Sequence, residues 1–132
     1  MAKPTSKSAP AGAVSRGKIL YSENDVSVLS VQSKVFERAG YTVEVVQGRA
    51  ATQQALRQAA YEMVVLGHTL SKDDRHHLAY MAKKSSEATR VLVLHASGKH
   101  PAVDLAIDSR DGEKAVIAAV GALMESRLSM AS

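Results

Sequence analysis

Thr42–Leu66 reads TVEVVQGRAATQQALRQAAYEMVVL and predicts a strand, a helix and a second strand. Its first part, Thr42–Val46, is rich in β-branched residues, which are typical of strands. Ala51–Ala60 carries strong helix formers, with alanine and leucine side chains along one face. Met63–Leu66 is a continuous apolar run, as expected for a strand that is covered on both faces. This order indicates a parallel sheet with helices packed on its faces.

The same alternation of strands and helices extends outward on both sides of this segment. The further predicted elements are a strand over Lys18–Ser22, a helix from Val28 to Ala39 that Gly40 ends, a helix that Ser71 and Asp74 open as a capping box and that runs through Ser85, a strand over Val91–Leu94, a short strand over Leu105–Ile107, and a last helix from a cap at Asp111 to about Met124. Five strands in one small domain predict an α/β, flavodoxin-like three-layer sandwich, with a five-stranded parallel sheet of order 2-1-3-4-5. Ligands of such folds bind outside the carboxyl ends of the strands.

The composition of the 132 residues narrows the classes of function. Without cysteine, the chain can form neither disulfides nor thiolate metal sites. One Phe, four Tyr and no Trp argue against a stacking platform for single-stranded nucleic acid. Of the net charge of +4, three positive charges come from Lys3, Lys7 and Arg16, so the rest of the chain carries only +1 and we expect no nucleic-acid partner. The longest apolar stretch, Ala115–Met124, is about half of a membrane span, so we expect a cytoplasmic protein without a membrane partner.

The two ends of the chain are predicted to differ from its middle. Residues 1–16 are rich in Pro, Ala, Ser and Gly and have no hydrophobic period, which predicts a disordered tail. Residues 17–126 are expected to form one domain. Residues 127–132 are expected to form a short C-terminal tail.

Four segments resemble the receiver domain of bacterial two-component response regulators. They are KILYSEND (Lys18–Asp25), FERAGYTVEVV (Phe36–Val46), AYEMVVLGHTL (Ala60–Leu70) and TRVLVLHAS (Thr89–Ser97). The resemblance extends from Lys18 to about Met124. It implies a module of phosphorelay signal transduction.

The resemblance also assigns roles to five positions. In receiver domains an acidic pair after the first strand holds Mg²⁺, and Glu23 and Asn24 stand at those places. An aspartate after the third strand accepts a phosphoryl group from a histidine kinase, and Gly67 takes its place. A Thr or Ser after the fourth strand and a Lys after the fifth contact that group, and here these residues are His95 and Asp108. Because four of the five positions have changed, the chain resembles a degenerate form, a pseudo-receiver, that the usual chemistry does not phosphorylate.

The segment between the fourth and fifth strands is short for a receiver domain. His95 and Asp108 are thirteen positions apart, whereas a helix with its two loops needs roughly twenty. Gly98 and Pro101 leave room for one helical turn at most. We therefore expect the fourth helix to be short or missing. Since that helix belongs to the face through which ordinary receivers dimerise and signal, the partner surface here should differ.

His76 and His77 are adjacent on a predicted helix and therefore point to different sides of it. We expect both to lie on a solvated face. Lys83 and Lys84 near the end of the same helix favour its negative dipole end and indicate no ligand.

The leading hypothesis is a receiver-like protein-interaction domain that works without phosphorylation, without enzymatic activity and without a cofactor. Its partner would be a protein of a signalling pathway or a second copy of the chain. The alternative is a sensor that binds a small ligand or a metal ion in the crevice at the strand ends, where Gly67 opens space. Glu23, Asp25, His68 and His95 could converge there as ligands of a divalent ion.

Overall fold

The computed structural model describes residues 15–131, apart from residues 96 and 98. Within that range, strands and helices alternate along the chain as the sequence predicts. The elements are β1 (Lys18–Glu23), α1 (Val26–Arg38), β2 (Thr42–Gln47), α2 (Gly48–Gln58), β3 (Met63–Leu66), α3 (Lys72–Ser85), β4 (Arg90–Val93), β5 (Leu105–Ala106), a 3₁₀ turn (Ser109–Asp111) and α4 (Glu113–Ala131).

The five strands form one parallel sheet of order β2-β1-β3-β4-β5, which confirms the predicted flavodoxin-like α/β topology. The register aligns the strands at their carboxyl ends. Ser22 at the end of β1 lies opposite Val46 on one side and Leu66 on the other. Leu66 in turn lies opposite Val93 of β4. The residues that follow these strands therefore meet at one edge of the sheet.

Two hydrophobic clusters lie on opposite faces of the sheet. One packs α1 and α4 against side chains that include Ile19 and Tyr21, and the other packs α2 and α3 against side chains that include Leu20 and Val64. Ile19, Leu20 and Tyr21 are all fully buried, because β1 lies in the interior of the sheet and both its faces are covered. The arrangement is the predicted three-layer sandwich.

In the connection between β4 and β5, a turn is closed by a bond from the Val103 N–H to the His100 carbonyl at 2.9 Å. The described residues of this connection contain no α-helix. Asp104 fixes the end of the connection, since its carboxylate accepts from the Val91 N–H at 2.8 Å and pairs with Lys83 Nζ at 2.7 Å. The short spacing from His95 thus correctly predicted that the fourth helix is missing.

Predictions near the C-terminal end of the chain need correction. The expected tail of residues 1–16 lies outside the described residues except for Ser15 and Arg16, and it stays a prediction. Asp111 does not cap the last helix, because it lies in the 3₁₀ turn before Gly112. That helix, α4, continues to Ala131, beyond the predicted end at Met124 and into the predicted C-terminal tail. None of the helices in the described part combines the length and the apolar composition needed to cross a membrane.

Candidate functional site

The carboxylate of Glu23 lies inside the domain at the carboxyl edge of the sheet. Glu23 is fully buried at the end of β1. Its Oε2 accepts a hydrogen bond from the Tyr21 hydroxyl. Its Oε1 accepts from the Thr69 N–H at 2.9 Å and from the Thr69 hydroxyl at 2.6 Å. Three donors therefore satisfy a carboxylate that has no contact with water, as a buried charge requires.

Gly67, the first residue after β3, leaves the space that this carboxylate fills. A Cβ atom added at Gly67 would overlap the carboxyl carbon of Glu23 and both of its oxygens. The backbone of Gly67 does not have the positive φ that favours glycine. The requirement for glycine is therefore one of space. A side chain at position 67 and the Glu23 carboxylate cannot occupy this space together.

Thr69 ties together the segments that follow β1 and β3. Besides donating to Glu23, its hydroxyl accepts from the Asn24 N–H at 2.8 Å and from the Asp25 N–H at 3.1 Å. The Asn24 side-chain amide donates to the Thr69 carbonyl at 3.1 Å. Gln47 at the end of β2 donates to the Asn24 carbonyl at 3.0 Å. The ends of three strands are thus joined by hydrogen bonds that leave the Glu23 carboxylate closed off.

Arg75 and Tyr21 supply the electrostatic surroundings of the buried carboxylate. Arg75 of α3 is only 5% exposed, and its Nη1 donates to the Leu70 carbonyl at 2.6 Å. Burial lowers the pKa of the Arg75 guanidinium, and the negative charge of Glu23 opposes that shift. Burial raises the pKa of the Tyr21 phenol well above its usual value, and the charge and hydrogen bond of Glu23 raise it further. Tyr21 therefore stays a proton donor to Glu23 across the physiological range of pH.

Asp25 serves as the N-cap of α1. Its Oδ1 accepts from the Ser27 N–H at 2.8 Å and from the Val28 N–H at 3.2 Å. Because the Asp25 side chain accepts from two backbone amides of α1, its capping role explains the acid at this position, and no metal ion is needed to explain it.

Asp25→Ala is expected to lower the free energy of unfolding by about 1 kcal/mol, because the first turn of α1 loses its cap. Urea unfolding followed by circular dichroism measures the loss. Asp25→Asn is the matched control, since an amide oxygen can still accept from the same backbone groups and stability should stay within about 0.5 kcal/mol of the wild type. An equal loss in both variants would contradict the capping role.

The remaining candidate residues lie around a cavity of about 240 Å³ at the ends of β3, β4 and β5. His68 Nδ1 lies 4.0 Å from Glu23 Oε2. His95 Nδ1 accepts from the Ser97 N–H at 3.1 Å. Asp108 binds Arg110 at 2.6 Å, and this side-chain bond, together with the one from the Arg110 N–H, lowers the pKa of Asp108 to about 2.

The four proposed metal ligands do not converge. Glu23 is enclosed by Tyr21 and Thr69, Asp25 caps α1, and only His68 and His95 face the cavity. Among the described residues, no three His, Asp or Glu side chains come together in a way that could hold a metal ion.

Solved structures match the chain over most of its length, whereas no family model and no curated protein matches it. A CheY-like response regulator receiver domain protein from Methanospirillum hungatei has a TM-score of 0.75 at 12% identity, over 86% of this chain and 98% of that one. A response regulator receiver protein from Sinorhizobium medicae has a TM-score of 0.73 at 21% identity, over 89% and 99%. The response regulator TrrA from Thermotoga maritima, solved with Mg²⁺ and BeF, has a TM-score of 0.72 at 13% identity, over 81% and 98%.

The chain has the fold of a response-regulator receiver domain. In this receiver fold, Glu23, Asn24, Gly67, His95 and Asp108 all lie at the carboxyl edge of the sheet, where the resemblance places them. Identities of this size establish the fold alone.

Sequence reasoning missed the two residues that bind the Glu23 carboxylate, Tyr21 and Thr69. Tyr21 could have been found from strand alternation, because residues two apart on β1 point to the same face as Glu23. Thr69 gives no comparable signal, since its contact with Glu23 depends on the path of the loop after Gly67.

The expectation that His76 lies on a solvated face was wrong. Its ring stacks on His100 with a distance of 4.3 Å between centroids, which packs the β4–β5 connection against α3. Burial lowers the pKa of His76, and the neighbouring His100, Lys72 and Arg75 lower it further, whereas Asp73 raises it. His77 is half-buried as well.

Proposed function

We propose that this receiver fold is a phosphorylation-independent protein-interaction domain of a bacterial signalling pathway, acting in the cytoplasm. The observation that carries the proposal is the pairing of Gly67 with the buried Glu23 carboxylate at the carboxyl edge of the sheet. At the position where the resemblance requires a phospho-acceptor, Gly67 has no side chain, and the Glu23 carboxylate that fills its space is buried and hydrogen-bonded. A carboxylate must be exposed to attack a phosphodonor, so Glu23 cannot replace the missing nucleophile.

The other assigned positions support the same proposal. His95 has its Nδ1 engaged by the Ser97 N–H, and Asp108 is held by Arg110. Neither residue offers the hydroxyl or the cation that receivers direct at a phosphoryl group. On this proposal the domain catalyses no reaction, needs no cofactor, and acts only through the protein that it contacts.

Incubation with acetyl phosphate and Mg²⁺, followed by intact-mass analysis, tests the proposal. We expect no added phosphoryl mass under conditions that fully modify a receiver domain with an acceptor aspartate, which serves as the positive control. A labile phosphoryl adduct on this chain would overturn the proposal, and peptide mapping of the adduct would identify the residue that has become the acceptor.

A further inference from the structure

His76 of α3 and His100 of the β4–β5 connection stack their rings on each other. The ring centroids are 4.3 Å apart and the ring planes are tilted by 31°. Both residues are half-buried. The stack joins α3 to residues 99–104, the part of the connection that leads into β5. It involves none of the residues on which the proposed function rests.

The far end of residues 99–104 is fixed to the sheet and to α3. The Asp104 N–H donates to the Val91 carbonyl at 2.9 Å, and the Asp104 carboxylate accepts from the Val91 N–H at 2.8 Å. The same carboxylate pairs with Lys83 Nζ at 2.7 Å and with Arg90 Nη1 at 3.3 Å. Asp104 therefore anchors this end, whereas the other end meets α3 through the ring of His100.

His100 also holds the turn of this segment in its observed form. Its carbonyl accepts from the Val103 N–H at 2.9 Å, and its Nδ1 accepts from the Ala102 N–H at 3.1 Å. A protonated imidazole carries a hydrogen on both ring nitrogens and accepts no bond. A proton on His100 would therefore set an N–H of the ring against the Ala102 N–H. Lys99, the preceding residue, adds a positive charge to the same segment.

The surroundings of His76 disfavour a positive charge as well. Its Nε2 is buried and has no hydrogen-bond partner among the residues that the structure describes, so a proton there would be a buried donor without an acceptor. Burial lowers the pKa of His76, and His100, Lys72 and Arg75 lower it further, whereas Asp73 raises it. A histidine whose pKa falls on folding stabilises the folded form fully above its ordinary value of 6.5, and this contribution is lost as the pH falls below that value.

We propose that residues 99–104 form a pH-sensitive latch, which the His76–His100 stack closes at neutral pH and which leaves α3 in mildly acidic solution, when these rings gain protons. Two cationic rings at the distance of the stack repel each other. At the same time the Ala102 N–H loses its acceptor on His100. Asp104 stays in place and acts as the pivot of the latch.

Release of the latch would uncover apolar surface. Val103 is only 8% exposed and belongs to the hydrophobic cluster that α2 and α3 form against the sheet. Ala102 packs against the same cluster. Both side chains move away from α3 when the segment swings on Asp104. A partner that binds apolar side chains would therefore find this surface only under acidic conditions.

Amide hydrogen exchange, followed by NMR on the full chain, tests the latch. The rates are expressed as protection factors, so that the intrinsic pH dependence of exchange cancels. Between pH 7.5 and 5.5 we expect the protection factors of the Ala102 and Val103 amides to fall about tenfold, because the open segment binds at least one proton more than the closed one. The amide of Val64 in β3, an interior strand, should keep its protection.

His76→Phe keeps an aromatic ring against His100 but cannot be protonated. In this variant the same protection factors should fall by no more than about threefold. His77→Phe is the matched control, since His77 is the next residue of α3, is half-buried and does not form the stack. It should respond to pH like the wild type.

Protection factors that do not change in the wild type would overturn the inference, as would an equal fall in His76→Phe. An equal fall at Val64 would show global destabilisation and would overturn it as well. Neither a phosphodonor nor a partner enters the measurement. The latch and the proposed function can therefore fail separately.

Discussion

Gly67→Ala is expected to lower the free energy of unfolding by about 3 kcal/mol, although it adds a single methyl group. The new Cβ would overlap the Glu23 carboxyl group, which must then leave its place. In doing so it would abandon three donors, which are the Tyr21 hydroxyl and the N–H and hydroxyl of Thr69. Urea unfolding of the wild type and the Gly67→Ala variant, followed by circular dichroism, measures the difference.

The matched control places the same methyl group in a protein that has room for it. Glu23→Ala removes the carboxylate, so Gly67→Ala in that background should cost no more than about 1 kcal/mol. The double-mutant cycle should therefore give a coupling of at least about 2 kcal/mol between the two positions. Additive effects of the two substitutions would show that Gly67 and Glu23 do not compete for one space.

Strong alkali is expected to destabilise the domain through Tyr21. The pKa of the Tyr21 phenol is raised above its ordinary value of 10.0, first by burial and then by Glu23. A group with a raised pKa contributes its full stability below its unfolded pKa and loses it as the pH rises above that value. The contribution of Tyr21 to the free energy of unfolding should therefore be constant below pH 10 and then fall by about 1.4 kcal/mol per pH unit.

Tyr21→Phe separates this contribution from other alkaline effects. At neutral pH the variant should be less stable by about 2 kcal/mol, because Glu23 loses a donor. Above pH 10 its stability should fall less steeply than that of the wild type, so the two curves converge. Burial and Glu44 also raise the pKa of Tyr61, which leaves some slope in the variant. Parallel curves would contradict the assignment, and Tyr80→Phe, at an exposed tyrosine, controls for loss of a hydroxyl at neutral pH.

The topology could be predicted from the sequence because it depends on patterns that extend over many residues. Met63–Leu66 is apolar without interruption, which is typical of a strand covered on both faces, and β3 is such a strand. The missing fourth helix followed from a count, since the chain between His95 and Asp108 is too short to hold it. The predicted ends of the helices were less accurate than the predicted topology. α1 begins at Val26 because Asp25 caps it, a signal that the prediction of a start at Val28 did not use.

For the carboxyl edge of the sheet, the sequence predicted which residues lie there but not how their side chains are arranged. That Glu23 and Gly67 follow neighbouring strands was evident from the sequence, but the direction of the Glu23 side chain was not. The prediction treated the space over Gly67 as open to a ligand, whereas the carboxylate turns inward and fills it. Such a choice depends on rotamers and on donors that the fold brings from elsewhere, here Thr69. The stacking of His76 on His100 was missed for the same reason.

The mutual exclusion of side chains at Gly67 and Glu23 also constrains how such a protein can evolve. An aspartate that arises at position 67 meets the Glu23 carboxylate, so we expect the mutant to be less stable than the wild type. Loss of Glu23 first leaves Tyr21 and Thr69 without their acceptor. Each of these single substitutions is therefore expected to pass through a less stable protein. Under the proposed function, an acceptor aspartate at position 67 could be reached only through two coupled substitutions.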